Sequence, residues 1–201
     1  MVKELNILLA GVGGQGVILM SELLGRAAIA SGLPVRGSEA LGMAVRGGSV
    51  TSVIRVGDDV HGPLIPQGKC HILVGLEPSE GLRHIGYLSE SSLVILNTRP
   101  TIPFTVSLGQ SDYPALDRIL EKLNSVAGRV VRLDALEIAE QAGSLLAANI
   151  VMLGALFGAG LLPVETGIIK EVIETRFPAK AGPANIRAFD LGYQACRQAM
   201  G

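Results

Sequence analysis

Aromatic residues are nearly absent from this 201-residue chain: there is no tryptophan, and tyrosine and phenylalanine together make up 3%. Such a chain has no stacking platform for unpaired bases. Its net charge of −1 also gives it no basic field, so nucleic acid is excluded as an expected partner. Cysteine is equally scarce. Cys70 and Cys196 stand far apart and outside any CxxC pattern, so they cannot supply four thiolates to an iron–sulfur cluster or a structural zinc. Both are expected to be buried, reduced thiols of a cytosolic protein. His61, His71 and His84 are scattered and suggest no metal triad, so no metal site is assigned to this chain. Charged residues are only 17%, and the stretch from Gln141 to Val164 has none. That length raises the question of a membrane span. Asn149, Gly154, Gly158 and Gly160 interrupt it and no basic cluster flanks it, so a buried helix is expected instead, and no membrane partner. The opening Met-Val-Lys-Glu and the short apolar run after it lack the long apolar core and cleavage site of a signal peptide; a cytoplasmic location is expected.

What the chain has in quantity is aliphatic surface, with 48% hydrophobic residues and a mean hydropathy of +0.44. A parallel sheet buried on both faces produces this through near-continuous Val/Ile/Leu strands. An obligate subunit produces it by hiding an apolar interface. Both are expected here. Leu5 to Ala10 is an apolar run that stops at glycine, and Val17 to Ala30 carries Ile18, Leu19, Leu23, Leu24, Ala27 and Ala28 at helical spacing. Gly32 closes that helix, and Leu33-Pro34-Val35 starts a second strand. Ser49 to Val56 reads as a strand from its β-branched content, and Gly57-Asp58-Asp59 predicts a hairpin turn after it. Buried strands are predicted at 71–76, 93–96 and 130–133, with helices at 79–85, 113–126 and 135–142. Beyond that the pattern is helical, at 147–158, 164–176 and 183–198. This alternation predicts an α/β fold: a doubly wound, mostly parallel, Rossmann-like sheet with a β-hairpin excursion and a C-terminal helical cap. Residues 1–201 are expected to form a single domain.

Gly11-x-Gly13-x-x-Gly16 lies between a predicted strand and a predicted helix, the context a dinucleotide fingerprint requires. Glycine permits the tight turn and the close approach of a ligand, and leaves N–H groups at a positive helix end. The acid that would hold the ribose hydroxyls should follow about 20 residues on. That place holds Val35-Arg36-Gly37-Ser38, and Glu39 comes late. Arg36 and Ser38 suit a 2′-phosphate, which keeps an NADP-type site open. The turn equally suits a tight strand–helix connection docked against another chain.

The wider pattern decides more. Gly11-Val12-Gly13-Gly14-Gln15-Gly16-Val17, then Ser38-Glu39-x-x-Gly42-Met43-Ala44-x-Arg46-Gly47-Gly48-Ser49-Val50, resembles the gamma subunit or domain of the 2-oxoacid:ferredoxin oxidoreductases. Gly62-Pro63-Leu64-Ile65-Pro66, Gly75-Leu76-Glu77-Pro78, Asn97-Thr98-Arg99-Pro100 and Asn149-x-Val151-Met152-Leu153-Gly154-Ala155 extend the resemblance over almost the whole chain. They point to the small subunit of the indolepyruvate branch.

The resemblance implies a division of labour. In this family a larger subunit or domain carries thiamin diphosphate, magnesium and iron–sulfur clusters, decarboxylates the 2-oxoacid and passes electrons to ferredoxin, while coenzyme A takes the acyl group. The present chain has neither a Gly-Asp-Gly with a downstream Asn for a magnesium–diphosphate site nor a cysteine cluster, so the chemistry is expected on the partner. No catalytic residue is assigned here. Gly11, Gly13, Gly14, Gln15, Gly16, Ser38, Glu39, Met43, Arg46, Gly47 and Gly48 are candidates for contact with coenzyme A, another anion or the partner. Arg46 suits either a bidentate contact to a carboxylate or phosphate, or an ion pair with Glu39 or the partner. Glu77 and Asn97 are expected at the carboxyl ends of neighbouring buried strands, where open sheets place ligand crevices. A helix cap is the preferred reading for Glu77, a buried hydrogen-bonded residue for Asn149, and packing for Met43 and Met152. Isolated, the chain is expected to homodimerise through its uncovered apolar face. Two other classes stay open: an independent NADP-dependent dehydrogenase, and a nucleotide-binding regulatory subunit.

Overall fold

The computed structural model describes residues 3–42, 47–103, 106, 108–109, 112–178 and 180–201. Met43 and Arg46 therefore lie outside the described residues. Six strands form one sheet in the order β2-β3-β1-β4-β5-β6: β1 is Leu5–Val12, β2 Val35–Leu41, β3 Ser49–Val56, β4 Ile72–Gly75, β5 Leu93–Asn97 and β6 Arg129–Leu133. Only β3 runs against the others. It pairs antiparallel with both β1 and β2, whereas β1, β4, β5 and β6 pair parallel. Among the described residues, seven α-helices surround the sheet: α1 Val17–Ala30, α2 Pro78–Arg83, α3 Leu116–Asn124, α4 Ala135–Gln141, α5 Ala148–Gly158, α6 Thr166–Arg176 and α7 Gly182–Met200.

The side-chain period of two explains why the central strands are apolar throughout. Ile7 and Leu9 join a core with Met20, Leu23, Ile150 and Phe189 on one face of the sheet. Leu8 and Ala10 join Leu73, Val94, Ile119 and Leu123 on the other. A strand covered on both sides has no polar positions to alternate with, and β1 is buried at every residue.

The hairpin is real but sits elsewhere than predicted. It joins β2 to β3, closed by Gly42 N–H to Ser49 O at 2.7 Å. Gly57-Asp58-Asp59 instead leads the chain out of the sheet, with Asp59 N–H bonded to Lys3 O at 3.0 Å. The cause is the position of β2. As an edge strand it exposes residues on both faces, so it lacks the alternation that marks a half-buried strand.

The uncharged stretch after Gln141 contains α5, whose residues from Asn149 to Gly158 are buried. Its glycines serve helix contact. A Cβ on Gly154 would run into Phe189 O, and one on Gly192 of α7 into Val151 O, so α5 and α7 meet backbone to backbone. No helix among the described residues is long and apolar enough to cross a membrane.

Candidate functional site

In open α/β sheets the crevice opens where chain connections leave in opposite directions from neighbouring carboxyl ends. Here that point lies between β1, whose chain turns through α1 toward β2, and β4, whose chain turns through α2 toward β5. The glycine turn occupies one side. Gly14 and Gly16 take φ of 101° and 78°, the left-handed region that glycine tolerates, and Gly16 is the N-cap of α1.

Gln15 fills the crevice. Its Oε1 accepts the Val12 N–H at 2.9 Å, and its Nε2 donates to Leu76 O at 3.2 Å and Thr101 Oγ1 at 3.1 Å. One amide thus joins β1, the end of β4 and the chain after β5. Gly11 must lack a side chain for this, because a Cβ there would lie 2.8 Å from Gln15 Oε1. The rest of the turn is held by the hairpin, with Gly13 N–H on Gly48 O at 2.8 Å and Gly47 N–H on Gly13 O at 3.2 Å.

This arrangement answers the dinucleotide reading. A dinucleotide fold has its second strand beside the first, so that a side chain at its end reaches the ribose. Here β3 intervenes, which puts β2 about 10 Å from β1 at the usual strand spacing. Arg36 and Glu39 are exposed on that outer strand, Ser38 is half-buried, and the Arg36 guanidinium bonds its neighbour's carbonyl, Val35 O, at 3.0 Å. Gly47 and Gly48 bond the turn itself.

Glu77 is buried and caps α2. Its carboxylate accepts the Glu80 N–H at 3.0 Å, the Ser79 hydroxyl at 2.6 Å, the Thr101 N–H at 3.3 Å and the Tyr113 hydroxyl. Burial, reinforced by the Glu77 carboxylate, pushes the Tyr113 phenol above its ordinary range, so the proton stays on tyrosine. Asn97 is also buried, donating to Leu76 O at 2.9 Å and accepting the Ala135 N–H at 3.1 Å, which ties the ends of β4 and β5 to the start of α4. The expected helix cap and strand-end positions are therefore found, and both side chains hold the rim. Asn149 is buried against the turn: its Nδ2 reaches Gly16 O at 3.5 Å, the outer limit of a hydrogen bond.

Five participants escaped prediction. Thr101 and Tyr113 come from the long connection after β5, whose composition gives no sign of a tether to Glu77. Arg99 pairs with Asp134, the N-cap of α4, at 2.7 Å. Leu145 and Leu146, on a 3-10 turn, are 55% and 93% exposed. A pocket of about 220 Å³ lies between these leucines, the glycine turn, Asn97 and Asn149.

The donor set does not fit an iron–sulfur cluster. Cys70 and Cys196 belong to the cores on opposite faces of the sheet. Burial pushes their thiols up to about 12 and about 11, respectively, away from the thiolate form that a metal needs. Among the described residues, no group of three or more His, Cys, Asp or Glu is placed to hold a metal ion.

A mixed sheet with one inserted antiparallel strand, a glycine turn closed by its own hairpin, and an apolar rim define an α/β protein whose strand order departs from that of the dinucleotide-binding class. The sequence matches the pyruvate ferredoxin/flavodoxin oxidoreductase family over residues 6–195, and the chain belongs to that family. Indolepyruvate oxidoreductase subunit IorB of Archaeoglobus fulgidus is 45% identical to it over 190 residues, 94% of each chain. The subunit of the same name from Pyrococcus horikoshii is 42% identical over 199 residues, 98% of each chain. Among solved structures, pyruvate oxidoreductase subunit PORC from Thermotoga maritima shares the fold with a TM-score of 0.68 and 27% identity, over 96% of each chain.

Proposed function

We propose that this chain is the small subunit of a cytoplasmic indolepyruvate-type 2-oxoacid:ferredoxin oxidoreductase, its residues 1–201 forming one gamma-type domain. A larger subunit carries thiamin diphosphate, magnesium and iron–sulfur clusters and supplies decarboxylation and electron transfer to ferredoxin, with coenzyme A as the acyl acceptor. The present chain contributes a surface. Gln15, Glu77 and Asn97 hold the ends of β1, β4 and β5 in a fixed relation, so the turn at Gly11–Gly16 and the residues around Ser38, Glu39, Gly47 and Gly48 meet the partner already shaped. A preformed surface limits the ordering cost of association.

The observation that carries this reading is where exposed apolar side chains collect. Of the nine large apolar side chains exposed among the described residues, Leu41, Ile102, Leu136, Leu145 and Leu146 lie at or just beyond the carboxyl ends of strands or line the pocket there. Leu41 stands level with Gly11 across the sheet, through Val50. Such a patch marks a surface to be covered.

Co-expression with the larger subunit tests the proposal. The expected result is co-purification of the two chains, and oxoacid-dependent ferredoxin reduction by the complex but not by this chain alone. Oxoacid turnover or nicotinamide reduction by the purified chain overturns it.

A further inference from the structure

The pocket beside the glycine turn has a chemical bias. Its walls are apolar: Leu76, Leu136, Leu145, Leu146 and Met152. The side-chain acceptors facing it are all engaged. Gln15 Oε1 holds the Val12 N–H, Asn97 Oδ1 the Ala135 N–H, and Asn149 Oδ1 the Ile150 N–H. Thr101 Oγ1 accepts from Gln15. Among the side chains lining it, the capacity left over is donor. The Arg99 guanidinium uses only its Nε, on Asp134, leaving both terminal nitrogens. The Thr101 hydroxyl keeps its proton, and Asn149 Nδ2 keeps one N–H after its long bond to Gly16 O. Asn149 is 7% exposed, so that N–H has little water to turn to.

Unengaged donors and aliphatic walls in one small pocket suit one ligand class. We propose that this pocket binds a small carboxylate carrying an apolar ring, with the carboxylate at Arg99, Thr101 and Asn149 and the ring against Leu145, Leu146 and Met152. At about 220 Å³ the space is below the roughly 300 Å³ at which sites for drug-sized ligands begin, so a dinucleotide does not fit. The anionic head follows from the donors alone. The choice of an aryl ring rests on the function proposed above, because an arylpyruvate-oxidising complex is surrounded by acids of this shape.

The absence of tryptophan makes the test direct, since indole fluorescence then reports ligand alone. Indole-3-acetate is titrated with the full purified chain and read by fluorescence anisotropy, with tryptamine, the same ring bearing a cation, as the opposed probe. The acid is expected to bind and tryptamine to fail. Arg99→Met, at an exposed position whose loss spares the core, is expected to weaken the acid about tenfold, as loss of a charge-assisted bond does, with Arg99→Lys in between. Equal binding of the two probes overturns the proposal, as does unchanged affinity in Arg99→Met or no binding of the acid at millimolar concentration. Displacement by equimolar inorganic phosphate overturns it as well, by assigning the donors to a phosphate. Assembly with the larger subunit is scored separately. An assembling chain that ignores the acid sinks only this inference, and an acid-binding chain that never assembles sinks only the function proposed above.

Discussion

The two ends of the central sheet are finished in different ways. At the amino end of β1, Arg55 bonds Glu4 at 2.5 Å, Asn6 Oδ1 at 2.8 Å, and the carbonyls of Gly62 and Leu64 at 2.8 Å each. Asn6 adds bonds to Lys69 O and, through its N–H, to His71 Nδ1. Charge closes that end. At the carboxyl end the inner layer is closed by neutral amides, Gln15 and Asn97, and by the capping carboxylate of Glu77, while the outer layer is leucine and isoleucine beside the single Arg99–Asp134 pair. One end is completed by its own chain. The other is held rigid and left apolar, as a surface is when another molecule is to cover it.

The largest effect of breaking this contrast belongs to the charged end. Arg55→Met strips two carbonyls, an amide oxygen and a carboxylate of their donor in a place where the arginine side chain is only 11% exposed. Losing charge-assisted hydrogen bonds to two carbonyls and an amide oxygen costs about 3 kcal/mol, roughly a 10 °C fall in Tm for a chain of this size. Calorimetry is expected to show that fall, with assembly unchanged below the new Tm. Asn97→Leu comes next. It leaves the Ala135 N–H without its acceptor and removes one of two donors from Leu76 O, a loss of about 2 kcal/mol. Because Asn97 positions the rim, this variant is expected to weaken assembly as well, which pull-down at a temperature well below its Tm checks.

How much of this was legible follows the same division. The buried strands announced themselves as apolar runs, and Glu77 was readable as a cap because it precedes Pro78 and a short helix. β2 was half-hidden, since a strand exposed on both faces carries no period, and the hairpin was accordingly assigned to Gly57–Asp59. Tyr113 looked like the start of α3. Pro114 intervenes, the helix begins at Leu116, and Tyr113 turns back to Glu77. Gln15 was visible as a member of the turn but not as its plug, because its partners Leu76 and Thr101 are 61 and 86 residues away. Contacts across such separations leave no local pattern to read.

Acid separates the two ends without any substitution. His84 clasps β3 through Thr51, Nε2 to Oγ1 at 2.9 Å, one residue row below the glycine turn, since Thr51 pairs with Ala10. Burial holds its pKa below the ordinary 6.5, against the pull of Glu80 and with a smaller push from Arg83. The folded state then binds fewer protons than the unfolded one. The neutral clasp contributes fully above 6.5 and is lost as pH falls through the folded value. Glu4 is lowered from 4.5 by its bonds to Asn6 and then Arg55, so the amino-end contribution persists above 4.5 and is lost at lower pH. Melts between pH 7.5 and 5.5 are expected to fall by less than either substitution costs, and His84→Gln to flatten that fall. The Glu4 loss appears only below 4.5.

The smallest effect on the isolated chain is the most informative about the rim. Leu146 is 93% exposed and gives the fold almost no burial, so Leu146→Asp is expected to change stability by less than about 0.5 kcal/mol. A leucine kept there for the fold alone would then be replaceable in every respect. If the rim is a docking surface, the same aspartate has to be desolvated on association, and affinity for the larger subunit falls about tenfold or more. Leu64→Asp, at a comparably exposed leucine near the amino end, is the matched control: 70% exposed, and expected to alter neither stability nor assembly. Equal loss of assembly in both variants would remove the distinction between the two ends, and loss confined to Leu146→Asp would fix the partner on the carboxyl rim.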